Sequence, residues 1–273
     1  MGCSSSVIKG GNDEELSGDE TDGELRRLIA KGSLAAAERV VSMEVDLNLS
    51  GLALGPRGER ALGVALRRPC CVVEVLRLRR CKLIDGKRGL EDLAAGLAAN
   101  TTVVSIDLRN NGLDDAAVAT LAAALSTNTT LRVLNLENNR IGTTGGAGYR
   151  ALADVLDQSA ISELRLGRNG PDGLDAFVVS VEQCKTLGAL FLNVGDVVDL
   201  RRGFDDYGVT SFDETDDAVG GSAAVLKSST LAALKTLARR RSDLVVCFDD
   251  HDGLRYLNAS RLADEDSKAG DFD

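Results

Sequence analysis

The stretch Leu131-Arg-Val-Leu-Asn-Leu-Glu-Asn-Asn-Arg-Ile141 limits the possible folds of this chain more than any other. It reads L-x-x-L-x-L-x-x-N-x-I. Leu134 and Leu136 are two residues apart, so a short strand sends both side chains to one face. Leu131 and Ile141 stand where the chain enters and leaves that strand and reach the same core. Asn139 follows where the chain must turn, and a buried amide there can satisfy backbone groups that no sheet ladder reaches. One such unit cannot bury its own apolar face, so copies are required.

The copies are present. With the second apolar residue of the L-x-L pair as marker, the unit recurs at Leu47, Leu78, Leu108, Leu136, Leu166 and Leu192, with a degenerate copy at Phe248. The intervals are 31, 30, 28, 30, 26 and 56, the last being two periods. Three residues after the markers lie Ser50, Cys81, Asn111, Asn139, Asn169, Gly195 and His251. A unit of this length with a helix in each copy resembles the ribonuclease-inhibitor-like leucine-rich repeats, over about residues 24–258. The resemblance implies an α/β solenoid, with a curved parallel sheet on the concave side and helices on the convex side. It says little about function.

The helices are expected at about 57–67, 88–99, 114–127, 145–157, 173–184 and 228–241. Small Ala and Gly residues between their apolar stripes are expected to let them pack close to the strands. Residues 24–42 read as an N-terminal helical cap, one helix or two broken at Gly32, covering the open end of the first repeat. The Asn-x-Thr sequences at Asn100 and Asn128 read as asparagines ending helices in the left-handed conformation, and Asn258-Ala-Ser reads the same way more weakly. Asp249-Asp-His-Asp-Gly253 reads as a turn, because the calcium-loop register would need an acid at Phe248 and a Glu at Ala259.

Charge divides the chain. Residues 12–24 carry 7 acidic and 0 basic groups, 196–217 carry 8 and 2, and 264–273 carry 5 and 1. These segments sum to −17 of the net −10, which leaves the body at +7. Residues 1–23 therefore form an acidic tether, 195–221 an acidic insertion that breaks the repeat, and 259–273 an acidic tail. Six scattered cysteines without a C-x-x-C pair and a single histidine argue against a metal site and for reduced thiols in a cytoplasmic setting. No cofactor is implied, and no secretory signal is expected. Nucleotide-loop and nucleophile-elbow motifs are missing, so no enzyme and no catalytic residue is expected.

Two groups of residues bear on function. The start, Met1-Gly-Cys-Ser-Ser-Ser6, fits M-G-x-x-x-[ST], which points to myristate on Gly2 after Met1 is removed, and palmitate on Cys3. One acyl chain binds a membrane only marginally, and the tether offers no basic patch, so Cys3 has to supply the second signal. The expected location is the cytoplasmic face of a membrane. The second group is the exposed strand face, where Arg77, Arg79, Arg80, Asp107, Arg109, Asn135, Glu137 and Arg165 are expected. Clustered arginines suit carboxylate or phosphate groups on a protein partner, although a solvated face with solubilising charges remains open. Interleaved acids and few aromatic residues argue against nucleic acid. The expected function is a membrane-anchored adaptor or scaffold. The alternative is a GTPase-activating protein resembling the Ran GTPase activators, which use the same type of repeat.

Overall fold

The computed structural model describes residues 21–83, 87–192, 228–250 and 253–257. Two helices lead, α1 (Asp22–Ala30) and α2 (Leu34–Val41), with Gly32 at φ +95° between them. Strand and helix then alternate: β1 (Asp46–Asn48), α3 (Gly55–Leu66), β2 (Val75–Arg77), α4 (Lys87–Ala99), β3 (Ser105–Asp107), α5 (Asp115–Leu125) and β4 (Val133–Asn135). After these come α6 (Ala147–Leu156), β5 (Glu163–Arg165), α7 (Leu174–Val181), β6 (Ala189–Leu192), α8 (Ser228–Arg240), β7 (Val245–Asp250) and β8 (Gly253–Leu257). The strands form one sheet in chain order, parallel from β1 to β7, with β8 antiparallel at the end.

The strands are short because each repeat contributes only one L-x-L pair to the ladder. Leu76, Leu78, Leu134, Leu136, Leu164 and Leu166 are all at most 1% exposed and share a continuous core with helix residues such as Leu62, Leu93, Leu121 and Leu152. Strands repeat about every 4.8 Å, whereas packed helices need about 8–10 Å. Stacking such units bends the array, with the strands on the inner face. Gly63 and Gly96 narrow the helix spacing between α3 and α4: a Cβ on Gly96 would lie 2.4 Å from the Gly63 carbonyl oxygen. These two glycines bring helix against helix, while alanines such as Ala65, Ala94 and Ala122 are buried in the core that the strand leucines share.

Two series of buried asparagines staple each repeat to the one before it. Asn139 Nδ2 donates to Leu136 O (2.9 Å) and Leu108 O (3.1 Å), and its Oδ1 accepts from the N–H groups of Asn111 (3.1 Å) and Leu113 (3.0 Å). Asn111 and Asn169 repeat the pattern. In the second repeat Cys81 takes this place, its thiol donating to Leu49 O at 3.1 Å. Burial pushes that thiol up to about 12, so it stays protonated and keeps donating.

The second series stands at the helix-to-strand turns. Asn100 Oδ1 accepts from Thr102 N (2.9 Å) and Val103 N (2.7 Å), while Nδ2 donates to Leu66 O (2.7 Å). Asn128 does likewise with Thr130 N, Leu131 N and Leu97 O. Neither has a positive φ, so the expected left-handed caps are absent at these positions. Their amides, 3% and 4% exposed, act on the backbone instead. Among non-glycine residues the left-handed positions fall after the strands, at Arg80, Lys82, Asn110, Asn138 and Arg168, with Gly51 in the matching place of the first repeat. Asn258 lies outside the described residues.

The first repeat is shifted relative to its sequence pattern. Leu47 pairs in register with Leu76, so its marker is Leu49, two residues later, and the first interval is 29. The degenerate copy keeps its register, with Phe248 opposite Leu192. Asp249 and Asp250 belong to β7, and the chain reverses between Asp250 and Gly253, which pair across β7 and β8; His251 and Asp252 lie outside the described residues, as do residues 1–20 of the tether, the whole 195–221 insertion and the tail.

Two predictions follow from these contacts. Leu136→Asp places an uncompensated carboxylate in a site 1% exposed, and should cost several kcal/mol, read as a large fall in Tm. The second concerns Asp115, whose Oδ1 accepts from Gly142 N (2.8 Å) and Gly148 N (3.0 Å) and whose Oδ2 accepts from Thr144 Oγ1 (3.0 Å), capping α6 from the neighbouring repeat. Burial opposes its charge, but these donors outweigh it and hold the carboxyl below its usual range. Its contribution is therefore complete above the unfolded carboxylate pKa and fades as pH falls through the lower folded value. Asp115→Asn should lower Tm at neutral pH, and the gap from the parent should close as the medium is acidified below the usual carboxylate range.

Candidate functional site

The strand face turned away from the helices carries three rows of side chains. At strand starts stand Asp46, Val75, Ser105, Val133, Glu163 and Ala189; between the core leucines stand Asn48, Arg77, Asp107, Asn135, Arg165 and Phe191. Arg79, Arg109 and Glu137 follow the strands. The corrected register moves Asp46 out of the middle row and puts Asn48 there.

These side chains are fixed largely by one another. Arg109 lays its guanidinium on Asp107, with Nε to Oδ1 at 3.0 Å and Nη2 to Oδ2 at 2.8 Å, and its Nη1 is 3.9 Å from Glu137 Oε2. Asn135 completes the group: its Oδ1 accepts from Glu137 N (3.0 Å) and its Nδ2 donates to Glu137 Oε2 (3.2 Å). Asp107, Arg109 and Asn135 are 9%, 8% and 4% exposed. Burial pushes the Glu137 carboxyl above its usual range, against the pull of Arg165 and Arg109. Burial works the other way on Arg109, but its bond to Asp107 and that carboxylate's charge hold its pKa above the ordinary value. The site thus stores both signs of charge in a water-poor setting.

On either side the pattern changes. Arg165 donates through Nε to Glu163 Oε1 at 2.5 Å, and its guanidinium carbon lies 4.7 Å from the Phe191 ring centre. Phe191 and Cys247 are each 1% exposed and form a second apolar cluster with Ala189, so this end of the face is closed, not open. Toward β1, Arg77 forks onto Asp46, with Nε to Oδ1 at 3.0 Å and Nη2 to Oδ2 at 2.8 Å. Asp46 is half exposed there, so solvent screens the pair.

Of the eight residues singled out from the sequence, the fold brings Asp107, Arg109, Asn135 and Glu137 into one network, with Arg165 beside it. Arg77 stands apart with Asp46, and Arg79 is half-buried at the end of β2. Arg80 is exposed on the rim, where the chain turns at φ +57°. Glu163, Asp46 and Phe191 were not in that set. A usable signal was present for Glu163: Glu163-x-Arg165 places opposite charges two apart on one strand face, as Asp107-x-Arg109 does. Gly2 and Cys3 lie outside the described residues. Among the described residues no group of three or more His, Cys, Asp or Glu is placed to hold a metal ion, and no helix is long and apolar enough to cross a membrane.

Residues 99–122 and 127–148 match the family model described as Leucine Rich repeat. The chain is similar to human NACHT, LRR and PYD domains-containing protein 12, with 40% identity over 80 residues, covering 29% of this chain and 7% of that protein. It is also similar to the ribonuclease inhibitor of Sus scrofa, with 34% identity over 86 residues, covering 32% of this chain and 18% of that protein. It therefore spans less than a fifth of the length of either relative. Among solved structures, Leiomodin-1 Actin-Binding Site 2 (ABS2) matches at TM-score 0.38 and 18% identity, covering 58% of this chain and 76% of that one. That likeness is too remote to bear on function. The repeat pattern, the strand register and the matched segments agree: the chain carries leucine-rich repeats stacked as an α/β solenoid, and in sequence it is similar to the ribonuclease-inhibitor-like kind.

Proposed function

We propose that the chain is a protein–protein interaction module, an adaptor or scaffold that presents the inner strand face to a partner protein. The supporting observation is the Asp107–Arg109–Glu137 network, which holds charged groups in fixed geometry on adjacent parallel strands. Preorganised side chains lose little entropy on binding, which favours recognition of a protein surface. The contact residues proposed are Arg77, Arg79, Arg80, Asp107, Arg109, Asn135, Glu137 and Arg165. Their mixed signs suit a partner of mixed charge, because an ionic group must match both the arginines and the carboxylates. The second half of the proposal is a lipid anchor at Gly2 and Cys3, supported by the sequence pattern there.

Arg77→Glu with Arg79→Glu should abolish capture of the partner and leave Tm within a few degrees, since Arg77 is paired to a half-exposed carboxylate. A pull-down that survives this double reversal, and fails on deletion of 196–217, moves the site to the acidic insertion. Accelerated GTP hydrolysis by a Ran-like GTPase would replace the adaptor reading with the GTPase-activating one.

For the anchor, each buried methylene contributes about 0.8 kcal/mol, so one chain exchanges and two are retained. Gly2→Ala should release the protein to the soluble fraction, and Cys3→Ser should leave weak, exchangeable membrane binding. Intact mass of the protein from its native cell decides: a chain starting at Gly2 with no acyl mass removes the anchor from the proposal.

A further inference from the structure

Three neighbouring strands each carry a polar pair two residues apart on the inner face: Asp107-x-Arg109, Asn135-x-Glu137 and Glu163-x-Arg165. In the first and third the guanidinium lies on the carboxylate of its own strand, Arg109 Nη2 on Asp107 Oδ2 at 2.8 Å and Arg165 Nε on Glu163 Oε1 at 2.5 Å. Asp46 likewise holds Arg77 at 2.8 Å, from the strand beside it. The middle pair breaks the pattern. The companion of Glu137 is an amide, Asn135 Nδ2, which donates to Oε2 at 3.2 Å. Arg109 Nη1 stands 3.9 Å from that same oxygen, beyond hydrogen-bond reach. Of these four carboxylates, Glu137 is the one with no guanidinium in bonding contact among the described residues.

Both contacts of the Glu137 carboxylate fall on Oε2. Oε1 accepts no hydrogen bond among the described residues, and the side chain keeps 14% of its surface exposed. Burial holds this carboxyl above its ordinary range; Arg165, Arg109 and the Asn135 amide pull it down, and the Asp107 charge adds to the rise. The negative charge is thus short of one cation, and what remains open sets the shape of that cation. An arginine fork bonds both oxygens of a carboxylate, and here Asn135 already holds one. An ammonium is a compact donor that needs a single oxygen. Arg109 and Arg165 do not supply it, each being seated on the carboxylate of its own strand. We propose that Glu137 Oε1 receives the ammonium of a lysine on the partner protein, the cation that the β4 pair lacks. This rests on the protein-binding reading above and names the chemistry at the centre of that contact.

The test uses the full chain, with glutamate isotopically labelled at the side-chain carboxyl, and the peptides acetyl-Gly-Ser-X-Ser-Gly-amide, where X is Lys, Arg, norleucine or Glu. A cation bound to the ionised form lowers the pKa of that form. NMR should therefore show the Glu137 titration midpoint falling as the Lys peptide is added, falling less with the Arg peptide, and staying in place with norleucine. Affinity for the Lys peptide should drop as pH falls through the raised Glu137 value. Glu137→Gln, whose amide oxygen can still accept from Asn135, should weaken the Lys peptide by about tenfold, to the level of norleucine. Glu163→Gln should leave the preference for Lys in place. The inference is overturned if the Lys peptide leaves the Glu137 midpoint unmoved or raises it, a result read on the parent chain without any variant. It is also overturned if the Arg or norleucine peptide binds as tightly, or if Glu137→Gln keeps the preference. The protein-binding reading stands or falls separately, on the pull-down with Arg77→Glu and Arg79→Glu.

Discussion

Wherever a short parallel strand hands over to a turn, backbone N–H and C=O groups leave the sheet and enter an apolar interior. Left unpaired, each would cost on the order of 1–3 kcal/mol. The buried amides of Asn111, Asn139 and Asn169 remove that cost, each joining its own turn to the preceding one. Stacking and turn satisfaction are thus the same event, and a repeat removed from its neighbour loses both. The ends of the array show the rule by departing from it. The first repeat has Leu52 in place of the asparagine, and the preceding element there is the helical pair α1 and α2, which offers no equivalent turn. Arg26 closes that edge instead, donating through Nε to Asn48 O at 3.0 Å while paired with Glu44. At the far end Arg241 does for carbonyls what an asparagine does earlier: it donates to Cys184 O and Leu187 O, steadied by Asp243.

Spacing alone made the repeat, its helices and its core legible, because leucines two apart on a strand and a fixed period admit few other solutions. The first repeat misled because Val45, Leu47 and Leu49 all alternate, so either pair can serve as the L-x-L. Only hydrogen bonding to β2 decides that Leu47 stands opposite Leu76. Asn100 and Asn128 misled for a different reason. Asparagine near a helix end serves equally well as a left-handed cap or as a buried staple, and which it becomes depends on the carbonyls of Leu66 and Leu97 in the repeats before. Part of the inner face was legible, since alternate strand residues must lie on it. Ion pairs that cross between strands, such as Asp46 with Arg77, depend on register and therefore were not.

That same pairing changes what the arginines can do. From the sequence they form a basic cluster; in the fold Arg77, Arg109 and Arg165 each lie on a carboxylate of the same chain. A free anion gains little there, because it must displace a carboxylate already in bonding geometry and partly shielded from water. A protein partner can do better by bringing a cation for the carboxylate as well as an anion for the guanidinium. The network therefore favours selection among surfaces over indiscriminate attraction.

The rim and the inner face differ in how their side chains are placed, and the difference comes from backbone conformation. On the face, side chains project from strands at alternate residues, and their charges are arranged by neighbours only a few ångströms away. On the rim, side chains leave a turn whose φ the stapled repeats impose, so their spacing follows the stack itself. A curved array adds an angular offset at each repeat, which a rigid globular surface matches over few repeats and an extended segment follows over many. The Asp107–Arg109–Glu137 network is thus presented to a compact surface in a geometry that the stack itself fixes. The asparagine staples make this possible, because they fix the turn that ends the face and begins the rim.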